Sequence, residues 1–283
     1  MEGGGGRCLS GSLWRSVISH IEAVTWSYTR AARILSLGYA PRIRFEALSR
    51  VSPPPGAVFV DVGSGPGDSV DAILVYKPSY IVCIDPSESL LGCCRRRMRR
   101  SAALLEPVVA VAEHLPLRDG AADVATSFYA VRDYRQLRPG LLELLRVASR
   151  VAVGDIFLPR GRLARLLVRF WVCRVAPALA KLLRLGDGYR GICPTLQGWV
   201  SVEELRSTLS LLAGGSAEVE SRSFLLGGLG YVVARGCSVD GCEWDTLRPP
   251  GRRGVGGEGA LGGNTLYAVS REGSRARAWD KTV

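Results

Sequence analysis

The sequence predicts an α/β fold built on a doubly wound, mainly parallel sheet. Three observations carry that expectation. From Ala57 onward, short apolar runs alternate with segments of helical period. The first of these runs ends in a glycine-rich turn that leads into a helix. The 283 residues, 47% hydrophobic and 22% charged, suffice for one substantial core with an appendage.

In chain order, residues 14–50 read as helical, and Ser52-Pro53-Pro54-Pro55-Gly56 is a stiff break ahead of the first strand. Runs 57–62, 80–85, 107–111, 123–128 and 151–157 read as five successive strands. The intervening segments are turn clusters or helices such as 137–149, whose leucines recur at three and four. In 160–185, Leu163, Leu166, Leu167 and Phe170 fall on one helical face while Arg162, Arg165 and Arg169 fall on another. Ser201 with Glu204 is a capping-box pair that opens a helix over 202–213. Runs 216–226 and 231–234, around Gly227-Gly228, close the sheet at seven strands. The expected domains are therefore a helical cap (1–50), a core (51–236) with a helical insertion at about 159–200, and a Gly/Arg-rich tail (237–283). The tail reads as largely disordered, with a short strand available at 265–269.

Composition narrows the setting. The net charge is +11, and of the 37 basic residues only Lys77, Lys181 and Lys281 are lysines. Such a surface is drawn to nucleic acid, anionic membranes or acidic ligands. The run Arg95-Arg96-Arg97 with Arg99-Arg100 has no interleaved aromatics to stack on bases, which argues for a solvated helix face and against nucleic acid. The eight cysteines include no C-x-x-C spacing, so no metal site is expected and free thiols in a reducing compartment are. The glycine-rich N-terminus lacks the apolar core of a secretory signal, and Arg165, Arg169 and Arg174 interrupt the most apolar region. A cytoplasmic protein is expected.

The chemistry is concentrated between Val58 and Asp85. An apolar strand carries Asp61 near its end and runs into Gly63-Ser64-Gly65-Pro66-Gly67, where glycines let the backbone turn sharply and a ligand approach closely. A nicotinamide site would place a third glycine at position 68, where this chain has Asp68. A pyrophosphate gains nothing from that carboxylate, whereas a cationic cofactor tolerates it. Asp85, twenty residues beyond Gly65 at the end of the second strand, is placed to accept hydrogen bonds from both hydroxyls of a ribose.

The glycine motif with Asp85 resembles that of class I S-adenosylmethionine-dependent methyltransferases. Three further stretches resemble the ubiquinone/menaquinone biosynthesis C-methyltransferases. YTRAARILSLG from Tyr28 is similar to that family's YDxMNxxxSxG. AEHLPLRD from Ala112, followed by Ala122-Asp123-Val124, is similar to AExLPFxDxxFDxV, and Tyr129-Ala130-Val131-Arg132-Asp133 is similar to FGLRN. The likeness spans about residues 15–236. It implies a Rossmann-like methyltransferase fold with helical lid segments, and cofactor contacts at Asp61, Gly63, Ser64, Gly65, Gly67, Asp85, Pro86, Ala112, Glu113, Ser127 and Phe128. It further implies C-methylation of a quinol or related lipid-tailed aromatic acceptor. The alternatives are another small molecule, a lipid or an RNA as acceptor, or a non-catalytic cofactor-binding partner in quinone synthesis. Departures fall at Val111, Thr29, Ala32 and Asp133, where the family usually has Asp or Asn, Asp, Asn and Asn.

On the acceptor side, Tyr28, Tyr129 and Tyr189 are candidates for the pocket wall, with plain packing as the other reading. Arg132 could stabilise a phenolate or close the strand end as an ion pair. His114 or Asp133 could take a proton, His114 being equally readable as an exposed loop residue. The 160–185 insertion could rest on an anionic membrane surface or pack on the sheet as a lid.

Overall fold

The computed structural model describes residues 8–98, 104–214 and 217–237. The whole 237–283 tail beyond Cys237, including 265–269, and Arg99-Arg100 lie outside the described residues. All described residues fall in one unit of the chain, Met1–Glu243.

Three helices precede the sheet: α1 (Gly11–Ala23), α2 (Tyr28–Leu35) and α3 (Tyr39–Val51). The single helical stretch expected over 14–50 is thus broken twice. Gly38, at φ 81°, supplies one break, and the turn through Val24–Ser27 the other. Then follow β1 (Val58–Val62), α4 (Val70–Leu74), β2 (Tyr80–Asp85), α5 (Glu88–Met98), β3 (Leu104–Val109) and β4 (Ala122–Phe128). Next come α6 (Leu137–Val147), β5 (Ala148–Ile156), α7 (Arg162–Phe170), α8 (Ala176–Leu182) and α9 (Ile192–Thr195). The described chain closes with α10 (Val202–Leu212), β6 (Glu218–Phe224) and β7 (Leu229–Arg235).

The seven strands lie in the order β3-β2-β1-β4-β5-β7-β6. All neighbours are parallel except β7, which runs antiparallel to β5 and β6. The order reverses between β1 and β4, and in such sheets the ligand crevice opens at the carboxyl ends of the strands at that switch point. The apolar runs are continuous because both faces of the central strands are covered: Phe59, Ile81, Val124 and Val151 are all fully buried.

Two strand boundaries differ from the sequence reading for physical reasons. β3 begins at Leu104, three residues before Pro107, because an edge strand tolerates a proline whose missing N–H costs no ladder bond. β5 begins directly at Ala148, with no loop after α6. Ser201 caps α10, its hydroxyl accepting from the Glu204 N–H while the Glu204 carboxylate accepts from the Ser201 N–H.

The insertion after β5 is α7, one π-helical turn (Trp171–Val175) and α8. Of α7 only Val168 is buried; Leu163, Leu166 and Phe170 are 70%, 65% and 59% exposed. Val168 packs at the β6–β7 turn, while most of the apolar face of the helix is open to solvent. The expectation of free thiols also needs correction, because Cys173 and Cys193 form a disulfide joining the π-turn to α9. No helix among the described residues is long and apolar enough to cross a membrane.

Candidate active site

At the end of β1 the chain turns through Gly63, Gly65 and Gly67, all at positive φ. A β-carbon on Gly63 would lie 2.2 Å from Ala130 Cβ, so only glycine lets this turn approach the end of β4. The N–H groups of Gly63 and Ser64 both donate to the Ile84 carbonyl, clamping the turn to β2. Asp85 sits beside it. One carboxylate oxygen accepts from the Gly65 N–H (2.8 Å) and the other from the Ser87 N–H (2.9 Å). Burial raises its pKa to about 6, against the pull of those two backbone donors.

Asp85, Pro86, Gly63, Gly65, Ala112 and Glu113 line one cavity at the switch point. Trp14, Val17, Ile18 and Ile21 of α1 roof it. The space beneath α1 is 80 Å³, so the α1 side chains sit close over the glycine turn and Asp85. The Glu113 carboxylate also accepts from the Gln136 N–H ahead of α6.

Five residues expected at the cofactor lie outside this lining. The Asp61 carboxylate accepts from the Thr126 hydroxyl (2.6 Å), and burial raises its pKa to about 6. The Ser127 hydroxyl donates to Val62 O and accepts from the Tyr134 phenol. These bonds brace the ends of β1 and β4 beneath the crevice. Gly67 faces α5, where an added β-carbon would lie 2.8 Å from Cys94 Sγ. Ser64 is buried behind the turn, and Phe128 is buried against Gly154. All five shape the loop from behind without lining the cavity. Asp68 and Thr29, both departures noted in the sequence, meet: the Thr29 hydroxyl donates to the Asp68 carboxylate (2.5 Å), tying α2 to the glycine turn.

A second cavity of 420 Å³ adjoins the first. Tyr28 and Tyr129 line both, so they form the partition; Tyr189 lines only the second. Arg132 and Ser36 also line it; the rest of its wall is apolar and comes mainly from α2, α7, the π-turn, α9 and the β6–β7 turn, including Leu35, Val172, Ile192 and Leu226. Its mouth carries the exposed side chains Leu37, Leu167, Phe170 and Leu226.

The structure places the three catalytic candidates differently. Arg132 is buried in an ion pair with Asp155, bonds Asp133 (3.1 Å), donates through Nε to the Thr195 hydroxyl (3.0 Å), and lines the second cavity. Burial acts to lower its pKa, but the Asp133 and Asp155 carboxylates outweigh that and hold it above the ordinary value. The ion-pair reading of Arg132 is thus the arrangement seen. Asp133 lies on the cofactor-side cavity, bound to that guanidinium. His114 is exposed on a tight turn and lines neither cavity.

Sequence reasoning missed Asp155, Thr195 and Arg44. Arg44 is buried on α3, 4.9 Å above the Tyr129 ring. It stands within the stripe Ala40, Ile43, Ala47, Leu48, Val51, where a charged residue at a core position was the available signal.

The sheet order, the switch-point cavity and the capped Asp85 define a class I methyltransferase, and the comparisons agree. Residues 60–151 match the model of the Methyltransferase domain family. A demethylmenaquinone methyltransferase of Clavibacter sepedonicus is 31% identical over 215 residues, 75% of this chain and 86% of that protein. A ubiquinone/menaquinone biosynthesis C-methyltransferase of Geobacter sulfurreducens is 27% identical, over 63% of this chain and 72% of that one. A solved S-adenosylmethionine-dependent methyltransferase of Thermotoga maritima shares the fold at TM-score 0.51 and 17% identity, covering 79% of this chain and 99% of that one. The chain belongs to the family of demethylmenaquinone and ubiquinone/menaquinone biosynthesis C-methyltransferases. It is an S-adenosylmethionine-dependent methyltransferase. The residues present fit that cofactor: Asp85, Glu113 and Asp133 give the cavity an acidic lining suited to a cation, and Val111 and Leu90 add apolar wall.

Proposed function

We propose that this enzyme methylates a ring carbon of a demethylated quinol bearing a lipid tail. The observation that carries the proposal is the apolar 420 Å³ cavity that meets the cofactor cavity at Tyr28 and Tyr129 and opens onto an exposed apolar rim. A quinol ring fits at the partition, and a tail of repeating hydrocarbon units can follow the wall outward. The names of the relatives support the same acceptor class.

S-adenosylmethionine, when bound, supplies an electrophilic methyl group on a sulfonium. Each Asp85 oxygen retains a lone pair beyond its backbone bond and can accept from one ribose hydroxyl. Ala112, Glu113 and Val111 flank the adenine, Val111 through apolar contact only. Gly63 and Gly65 allow the close approach. The partition tyrosines and the roof of α1 hold the reactants together and exclude water, which is the main source of rate in such a displacement.

We propose also that the chain meets a membrane peripherally through the 160–185 segment. The exposed apolar face of α7, flanked by the exposed Arg162, Arg165 and Arg169, is complementary to an anionic lipid surface, the phase in which a tailed quinol resides.

The decisive experiment is mass spectrometry of quinones after incubation of the enzyme with S-adenosylmethionine and reduced demethylated menaquinone. A gain of one methyl on the ring is expected. No gain there, with methylation of bulk RNA or of a phospholipid extract instead, would replace the acceptor.

A further inference from the structure

Tyr129 stands at the partition in an unusual way. Its backbone adopts φ 62°, a left-handed conformation that a bulky residue occupies only when its surroundings impose it. The Tyr129 N–H donates to Gly154 O at 2.7 Å, which ties this strained residue to β5. Its phenol oxygen is buried and has no hydrogen-bond partner among the described residues, although buried hydroxyls ordinarily find one. The ring lines both cavities and lies under the Arg44 guanidinium, 4.9 Å away.

We propose that the Tyr129 hydroxyl donates a hydrogen bond to the ring oxygen of the acceptor and, with Arg44 behind it, stabilises that oxygen as a phenolate. The inference rests on the quinol reading above. Arg132, which also lines the acceptor cavity, is already engaged by Asp155, Asp133 and Thr195, whereas the Tyr129 hydroxyl is not. The groups that act on the phenol are Arg44, Asp155, Tyr28 and Arg132. Burial holds its pKa above the ordinary tyrosine value, Arg44 working in the opposite sense, so it is a neutral donor throughout the physiological range.

The acceptor's hydroxyl proton passes to solvent water before the reactants are enclosed, leaving the phenolate. The ring carbon, enriched by the oxygen's electron pair, forms a bond to the methyl carbon while the carbon–sulfur bond breaks with its pair remaining on sulfur, which gives a neutral dienone. As the product leaves, water takes the proton from that ring carbon, the bonding pair restores the aromatic ring, and the oxygen recovers a proton from solvent, so that one proton is released overall. Tyr129 gives up no proton at any stage.

The test uses Tyr129→Phe, which removes one oxygen and keeps the ring. With reduced demethylated menaquinone, kcat is expected to fall roughly 10- to 100-fold, the effect of losing a hydrogen bond to a charged oxygen, while affinity for S-adenosylhomocysteine stays unchanged. An independent readout is the ionisation of 1-naphthol bound to the S-adenosylhomocysteine complex, followed by its absorbance. The wild type should ionise naphthol at a lower pH than Tyr129→Phe does. If the quinol is methylated and neither kcat nor the naphthol titration changes, the role of Tyr129 is overturned. If the wild type methylates no quinol yet the variant still shifts the titration, the quinol reading falls and the role of the hydroxyl stands.

Discussion

At the scale of single residues, carboxylates hold the crevice together. Asp85, the proposed ribose ligand, lines the cavity while its oxygens fix Gly65 and Ser87. Its pKa, raised by burial to about 6, sets a sign. Above that pH the ionised group accepts from ribose hydroxyls; below it the protonated form has lost acceptor strength. Affinity for S-adenosylhomocysteine, measured by calorimetry, should therefore rise as pH increases through about 6 and level off above. Asp85→Asn should weaken binding about 10- to 100-fold at pH 7.5 and flatten the profile. A wild-type affinity constant from pH 5 to 7.5 would remove Asp85 from the ribose. The glycine turn and Asp85 were legible in the sequence because their spacing follows from the crossover connection itself. The catalytic candidates were not: the fate of Arg132 depends on Asp155 and Thr195, which lie 23 and 63 residues away and meet it only in the folded chain.

At the scale of elements, the central strands β1, β2 and β4 could be read to within a residue, since their apolar runs are buried on both faces, whereas helix breaks at Gly38 and in the Val24–Ser27 turn are local backbone events with weak sequence signals. The helical insertion was legible as an amphipathic pattern, but the pattern alone does not say whether the apolar face is covered. The structure leaves it open on α7 and stabilises the adjoining wall by the Cys173–Cys193 bridge, which spans 20 positions. A loop of that size contributes about 3 kcal/mol through restriction of the unfolded chain. Dithiothreitol should lower the melting midpoint of the wild type by roughly 5–10 °C and leave Cys173→Ser/Cys193→Ser unaffected. Identical responses of the two proteins, followed by calorimetry, would mean that the bridge does not form.

At the scale of the whole molecule, a net charge of +11 and an exposed apolar rim act together. Long-range attraction to an anionic surface is screened by salt, while insertion of Leu163, Leu166 and Phe170 is not. The enzyme should co-sediment with vesicles containing anionic phospholipid more than with neutral ones, and less at high salt. Leu166→Glu/Phe170→Glu should abolish this while leaving cofactor affinity intact, because both side chains are already in solvent. Equal binding of variant and wild type would rule out the α7 face. The two tethers across the helical layer have a consequence of a different kind. The Ser27 hydroxyl, next to Tyr28, donates to Leu185 O and lies 3.2 Å from the Tyr189 oxygen, and the Trp171 indole donates to Leu35 O. These bonds fasten α2 and the turn after α1, whose side chains line the cofactor cavity, to elements that wall the acceptor cavity. A ligand in one cavity is therefore expected to alter affinity in the other, and any such factor must be returned in equal measure.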